Sequence, residues 1–307
     1  MLSSSLGHPN DAATANSKGA DLSFAETVLL GGLAGLTIFL SLPFGRLQML
    51  SDRARVGLAM FAVGVLAFLF VDVFEHALHI AEEAVEGYAA GEGSLGKAVG
   101  FPAMLAGGFA LGCAGLAILE RRIRRSTDLP RMAGGSSDAM TVEQAQAFAL
   151  ADADVGRRRA LRLGMTIAAA IGIHNFAEGL AIGVSASTGE IGLATVLIIG
   201  FALHNATEGF GIVGPLGNVR PSWSWLLVAG LVGGAPVFLG AMVGYNVNSE
   251  PLELAFYGVA GGAILYVIGE VWNAMRRYGS KEFGLVLLCA GFAAGLLTDM
   301  FVAYGGG

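Results

Sequence analysis

Charge is what this sequence has least of. Only 14% of its 307 residues are Asp, Glu, Lys or Arg, while 54% are hydrophobic. Soluble domains carry about 25% charged residues, so a solvated globular surface is excluded for most of the chain. Cysteine is almost absent. Cys113 and Cys289 each sit in an apolar run, read as small buried side chains, and offer neither a disulfide framework nor a thiolate metal site. Histidine occurs five times, so any His that recurs in a pattern stands out. The basic residues form no patch or stripe but lie in short loops at the ends of apolar segments, which excludes a nucleic-acid footprint. Residues 1–25 are polar and lack a basic stretch followed by an apolar core. They read as a disordered tail rather than a cleavable signal, with His8 incidental in it.

What the sequence does have is apolar length. Mean hydropathy is +0.66, and apolar stretches of about 20 residues recur, each able to cross a hydrocarbon core of about 30 Å at 1.5 Å per helical residue. They predict helices at 26–44, 56–79, 98–120, 161–186, 191–213, 222–246, 252–275 and 282–304. The expected fold class is an all-α integral membrane protein with eight transmembrane helices and both termini on one side. Every Lys and Arg except Lys18 and Lys97 falls in the first, third, fifth or seventh connection or its helix ends. The positive-inside rule makes those connections cytoplasmic and both termini extracytoplasmic. Glu82, Glu83, Glu86, Glu92, Glu190, Glu250 and Glu253 gather on the opposite side.

The expected organisation is then a tail at 1–25, three helices in 26–120, a cytoplasmic loop at 121–160, two central helices in 161–213 and three more in 214–307. Within the loop, a Pro/Gly/Ser stretch at 126–138 reads as linker. Thr141-Val142-Glu143-Gln144 reads as a capping box that starts a short amphipathic helix to about Val155, a solvated connector near the membrane surface. Glycine, at 47 residues, is about twice its usual share. Much of it falls in Gly-xxx-Gly pairs: Gly31/Gly35, Gly108/Gly112, Gly179/Gly183, Gly230/Gly234, Gly240/Gly244, Gly258/Gly262 and Gly291/Gly295. Such pairs let helix backbones approach closely in lipid.

The chemistry lies in a doubled motif. His174-Asn175-Phe176-Ala177-Glu178-Gly179 in the fourth helix is echoed by His204-Asn205-Ala206-Thr207-Glu208-Gly209 in the fifth. His and Glu at i and i+4 share a helix face. Both His lie about 13 residues into their spans, roughly 20 Å deep and close to the midplane. A short connection makes the two helices antiparallel neighbours, so two imidazoles and two carboxylates can meet at one depth. A carboxylate there costs about 2.5–3.5 kcal/mol on insertion scales, and a divalent cation offsets that cost. His174, Glu178, His204 and Glu208 form a ligand set of borderline softness, suited to Zn2+ and its neighbours. Asn175 and Asn205, one residue further round, are either secondary ligands or hydrogen-bond partners that orient the others. Asn205-Ala206-Thr207 matches a glycosylation triplet, which its mid-membrane position rules out.

Eight spans, extracytoplasmic termini and paired His-Asn-x-x-Glu-Gly units on helices four and five resemble the ZIP (Zrt/Irt-like) divalent metal transporters. The resemblance implies a 3+2+3 arrangement in which the last three helices repeat the first three by inversion. It also implies alternating access by rigid movement of one helix group, a homodimer, and import of a divalent metal through His174, Glu178, His204 and Glu208, with Asn175 and Asn205 nearby. Two departures from the family pattern matter. The motif position just before the glutamate, often proline in relatives, is Ala177 and Thr207, so straighter helices are expected. The glutamate that many relatives carry before a helix-six proline is replaced in Ala235-Pro236, so one principal metal position is expected.

Other polar residues trace a path. Asp72 and His76, among carboxylates at the outer end of helix two, read as a cation-collecting entrance or as a solvated helix end. Asp299 resembles an acidic entrance position of the family. Glu270, near the inner face, reads as an exit group or as a salt-bridge partner of Arg276 or Arg277. The expected function is transport of Zn2+ toward the cytoplasm across the plasma (inner) membrane. Fe2+, Mn2+, Co2+ and Cd2+ are not separated from it by these ligands, and the partners are the ion and the lipid bilayer. An intramembrane metal hydrolase is the rival, but Asn rather than Glu follows each His and the general base of His-Glu-x-x-His is missing. A metal receptor that does not transport is a third reading.

Overall fold

The computed structural model of the protein describes residues 22–47, 51–125, 142–247 and 249–305. The expected linker at 126–138, Thr141 of the expected capping box and the tail up to residue 21 lie outside the described residues. Helix α1 (Phe24–Leu36) starts two residues inside the expected tail. Ser23 and Glu26 close a reciprocal capping box there: the Glu26 amide donates to the Ser23 hydroxyl and the Ser23 amide to the Glu26 carboxylate at 2.9 Å. The span continues as two 3-10 turns to Arg46, the second entered through Pro43. Ser51 caps α2 (Asp52–Ala89) and Ser94 caps α3 (Leu95–Ala110), which runs through a π-turn at Leu111–Gly115 into α4 (Leu116–Arg125).

The largest departure from expectation is α5 (Val142–Ser187), one unbroken helix rather than a short amphipathic helix followed by a separate span. No proline interrupts this stretch, and the Asp154–Arg158 ion pair, 2.7 Å at i,i+4, bridges the place where a break was expected. Helix α6 (Ile191–Val213) returns after a short turn at Gly189. The sixth span is split: α7 (Trp223–Gly234) stops at Ala235 and α8 (Pro236–Asn246) resumes. Pro236 has no N–H to continue the ladder, and Phe238 N bonds back to Ala235 O instead. Helices α9 (Glu250–Met275) and α10 (Lys281–Gly305) complete the chain. Among the described residues, eight helical segments are long and apolar enough to cross a membrane.

Both members of all seven Gly-xxx-Gly pairs lie where another helix presses on the backbone. A Cβ at Gly179 would overlap the Val237 carbonyl of α8, and one at Gly244 the Leu180 carbonyl of α5. Gly112, in the π-turn after α3, meets α9 at the Val259 carbonyl, and Gly262 meets the Phe109 carbonyl of α3 in return. Gly64 of α2 and Gly291 of α10 make the same reciprocal contact through Leu288 and Phe61. Without a hydrophobic driving force between helices in lipid, such backbone proximity supplies the packing energy. Helix α5 is the centre of the bundle, packed on α6, α7, α8 and α9. The α3–α4 span and α10 leave most of their apolar windows on the outside, where lipid would cover them. Cys289 lies on that outer surface and Cys113 is half-buried, both as free thiols. The Cys289 position corrects the expectation of a buried side chain.

The ends of the bundle sort by charge. At one end Arg46 donates to the Pro221 carbonyl and lies over the Trp223 ring, and Arg55 donates to Asn218 at 3.1 Å. At the other, Lys97 pairs with Glu250 at 3.0 Å.

Candidate metal site

Helices α5 and α6 run through both motifs without a break, as the missing prolines led one to expect. At Thr207 the hydroxyl donates to the His204 carbonyl at 2.8 Å, a bond that stays within the turn. The i,i+4 spacing then does what helix geometry dictates. His174, Glu178, His204 and Glu208 meet between α5 and α6, and none is more than 8% exposed.

Glu178 is the hub. Its Oε1 lies 2.7 Å from His204 Nε2 and 3.0 Å from His174 Nε2, and its Oε2 accepts from Asn205 Nδ2 at 3.2 Å. Glu208 Oε1 stands 3.8 Å from His174 Nε2. Asn175 Nδ2 donates to Asn205 Oδ1 at 2.7 Å and to the Gly233 carbonyl at 2.9 Å. Both Asn side chains are fully buried. Among the described residues no three His, Cys, Asp or Glu side chains stand spread around an ion position. Here the two imidazoles converge on one carboxylate oxygen and the donors bond each other.

Several polar atoms of the cluster are nevertheless left over. Both Glu208 oxygens, Asn175 Oδ1 and the ring nitrogens of His174 are buried without a hydrogen bond of ordinary length and angle. Buried polar groups are almost always paired, and three of these five atoms are pure acceptors.

A cavity of about 450 Å3 descends onto the cluster from the acidic end. His174, Glu178 and His204 form its floor, with Glu208 and both Asn below. Asp72, His76 and Asp299, the expected entrance residues, all line it, together with Ser185, Glu190, Glu253 and Thr298. Its walls are otherwise apolar: Leu69, Val73, Leu197, Phe201 and Tyr257 among others. Glu190 and Glu253 were legible only as charges of the acidic side. Tyr257, edge-on to His76 at 5.3 Å, carries no spacing signal in its apolar run. Among the described residues no Lys or Arg lines this cavity.

Glu270 lies apart, in a separate cavity of about 760 Å3 at the basic end, lined also by Glu120, Arg159, Arg162, Asn218, Asn273 and Arg277. Between that cavity and the cluster, Ile167, Ala168 and Ile171 of α5 are buried in one apolar core with Met60, Ile212 and Val267. The cluster is thus reached from the acidic end and sealed toward the basic one.

A family model described as ZIP zinc transporter matches residues 125–268, the stretch that holds both motifs and the α7–α8 break. The chain is 29% identical over 131 residues to zinc transporter ZIPB of Bordetella bronchiseptica, covering 41% of this chain and 42% of that protein. It is 31% identical over 148 residues to zinc transporter ZupT of Clostridium perfringens, covering 45% and 50%. Each of these two matches spans half of the curated relative or less. A longer match, 26% identical over 278 residues, covers 84% of this chain and 94% of zinc transporter ZupT of Corynebacterium glutamicum. Among the described residues the chain is all-α, an integral membrane protein with eight spans.

Proposed function

We propose that this chain is a secondary transporter that moves a divalent transition metal, zinc first, toward the cytoplasm, with His174, Glu178, His204 and Glu208 as the primary ligands. The observation that carries the reading is the surplus of buried acceptors in a cluster with two carboxylates and no cationic side chain. A divalent ion balances two ionised carboxylates. Neutral imidazole nitrogens and carboxylate oxygens bind zinc at about 2.0–2.2 Å, so the ion would take the place of the contacts between Glu178 and the two imidazoles. Relatives named zinc transporters support the same reading. Asn175 Oδ1, open and pointing nowhere else, is a candidate fifth ligand; both groups of Asn205 are occupied.

In this reading the acidic end faces outside, both termini lie there, and Asp72, His76 and Asp299 concentrate cations in the vestibule. Glu270 receives the ion after the apolar seal parts. Two features support the inverted 3+2+3 arrangement. The third span crosses α9 through Gly112 of its π-turn and Gly262, and α2 crosses α10 through Gly64 and Gly291. These crossings exchange when the first three spans are laid on the last three. The hydrolase reading has no support in the site, because Asn175 and Asn205 occupy the positions of a general base.

Proteoliposomes with a zinc-sensitive dye inside give the direct test. Wild type should fill, and His174→Ala with Glu208→Ala should reduce uptake to the protein-free leak while the purified variant stays monodisperse. Zinc binding by wild type without uptake would instead make it a receptor. A second measurement tests the route. In a background free of Cys113 and Cys289, Ala181→Cys places a thiol in the vestibule wall. A membrane-impermeant thiol reagent applied at the acidic end should stop uptake, and inhibition only from the basic end would reverse the assigned direction of entry.

A further inference from the structure

The two Asn side chains do not hang beside the cluster; they tie it to another part of the bundle. The chain of contacts runs from the Gly233 carbonyl to Asn175 Nδ2 (2.9 Å), from Asn175 Nδ2 to Asn205 Oδ1 (2.7 Å), and from Asn205 Nδ2 to Glu178 Oε2 (3.2 Å). Its last member is the carboxylate on which both imidazoles converge. Its first is the last turn of α7, immediately before the split at Ala235-Pro236. In an unbroken helix that carbonyl would face the amide four residues on, and the split turns it toward α5. Pro236 itself packs against Gly172 of α5, two residues before His174. The elbow in the sixth span and the floor of the vestibule are therefore one connected polar unit, and every link in it is buried.

We propose that Asn205 is a positioning residue, held by Asn175 and through it by the α7–α8 elbow, which sets the orientation of Glu178 toward the ion; it does not itself bind the metal. Asn205 has no free group to offer: its oxygen accepts from Asn175 and its amide donates to Glu178. The inference rests on the transport-site reading above and adds to it a mechanical dependence. A change in the elbow, which touches no ligand, alters the site. The elbow then sits where movement of α5 and α6 against α7 and α8 would be felt by Glu178 first.

A double-mutant cycle on purified full-length protein tests this, with zinc affinity by calorimetry and the visible absorption of bound Co2+ as readouts. Asn205→Ala removes the middle of the chain. Pro236→Ala restores an N–H to the elbow, lets the helix close and withdraws the Gly233 carbonyl without touching a ligand. Each should weaken zinc binding by about 10- to 100-fold, the range for partners that orient a ligand. The double variant should be no weaker than the worse single one, and the Co2+ bands of each should match in shape. Additive losses, or an unchanged affinity in Pro236→Ala, would overturn the clasp, and so would Co2+ bands altered in Asn205→Ala alone, which would make Asn205 a ligand. If Asn205→Ala does not purify as a folded protein, Pro236→Ala decides by itself. Failure of wild type to bind either metal would defeat the transport-site reading rather than the clasp.

Discussion

Glu208→Gln should make the ion-free protein more heat-resistant while lowering its zinc affinity by more than about 100-fold, beyond the 10–100-fold typical of partners that only orient a ligand. The two effects share one cause. Both Glu208 oxygens are buried without a hydrogen bond of ordinary length and angle; an unsatisfied buried polar group costs about 1–3 kcal/mol and a charged one more. Insertion scales put an ionised carboxylate at mid-membrane about 2.5–3.5 kcal/mol uphill. Removing the charge relieves that cost and removes a ligand. Glu178→Gln should lose zinc affinity equally without the gain, because Glu178 already accepts from His204 and Asn205. Melting curves of both variants in chelator, beside zinc titrations, check the contrast. A Glu208→Gln protein that melts lower than wild type and still binds zinc would contradict the role given to this residue.

Gly244→Ala should be among the most damaging single methyl groups in the bundle. A Cβ there overlaps the Leu180 carbonyl and Cα, and backbone cannot rotate aside as a side chain can. Overpacking usually costs about 1–3 kcal/mol. Here the penalty falls on the contact between α8 and α5, the helix that holds His174 and Glu178, so zinc affinity should fall with stability. Gly100→Ala and Gly107→Ala are the controls. No atom of a neighbouring helix lies within 4 Å of a Cβ at either position, and each replacement gains helix propensity of up to about 1 kcal/mol. Size-exclusion profiles and melting temperatures of the three should diverge in sign. Equal tolerance at all three would mean that the Gly contacts do not hold the bundle.

Much of this was legible from residue order alone, and the reasons are specific. The 3.6-residue period forces His174 onto the face of Glu178 and His204 onto that of Glu208, and equal distances from the span ends bring the two pairs to one depth. Gly-xxx-Gly spacing marked many of the close crossings, because only Gly leaves room for a neighbouring backbone at that distance, while lone glycines such as Gly64 and Gly172 carried no such mark. The sorting of Arg and Glu anticipated the two charged ends. Three things were not legible. The run into α5 was misread because a charged stretch looks like a loop until the Asp154–Arg158 pair is seen to continue the helix. The roles of Asn175 and Asn205 depended on a carbonyl at Gly233, a main-chain group with no letter in the sequence. Tyr257 and Glu253 reach the vestibule through the rotation of α9, which an apolar run does not encode.

That no described Lys or Arg lines the cavity above the two buried carboxylates has an electrical consequence. With both ionised, the cluster carries two negative charges when empty and none with a divalent ion aboard. Each charge moved through the full field exchanges about 2.3 kcal/mol per 100 mV. The loaded site would cross without feeling the potential, and an interior-negative membrane would push the empty site back outward. Voltage would then act on the return limb, and uptake would rise with an inside-negative diffusion potential even at saturating zinc. An uptake rate indifferent to voltage would say that protons take the place of the ion on the way back.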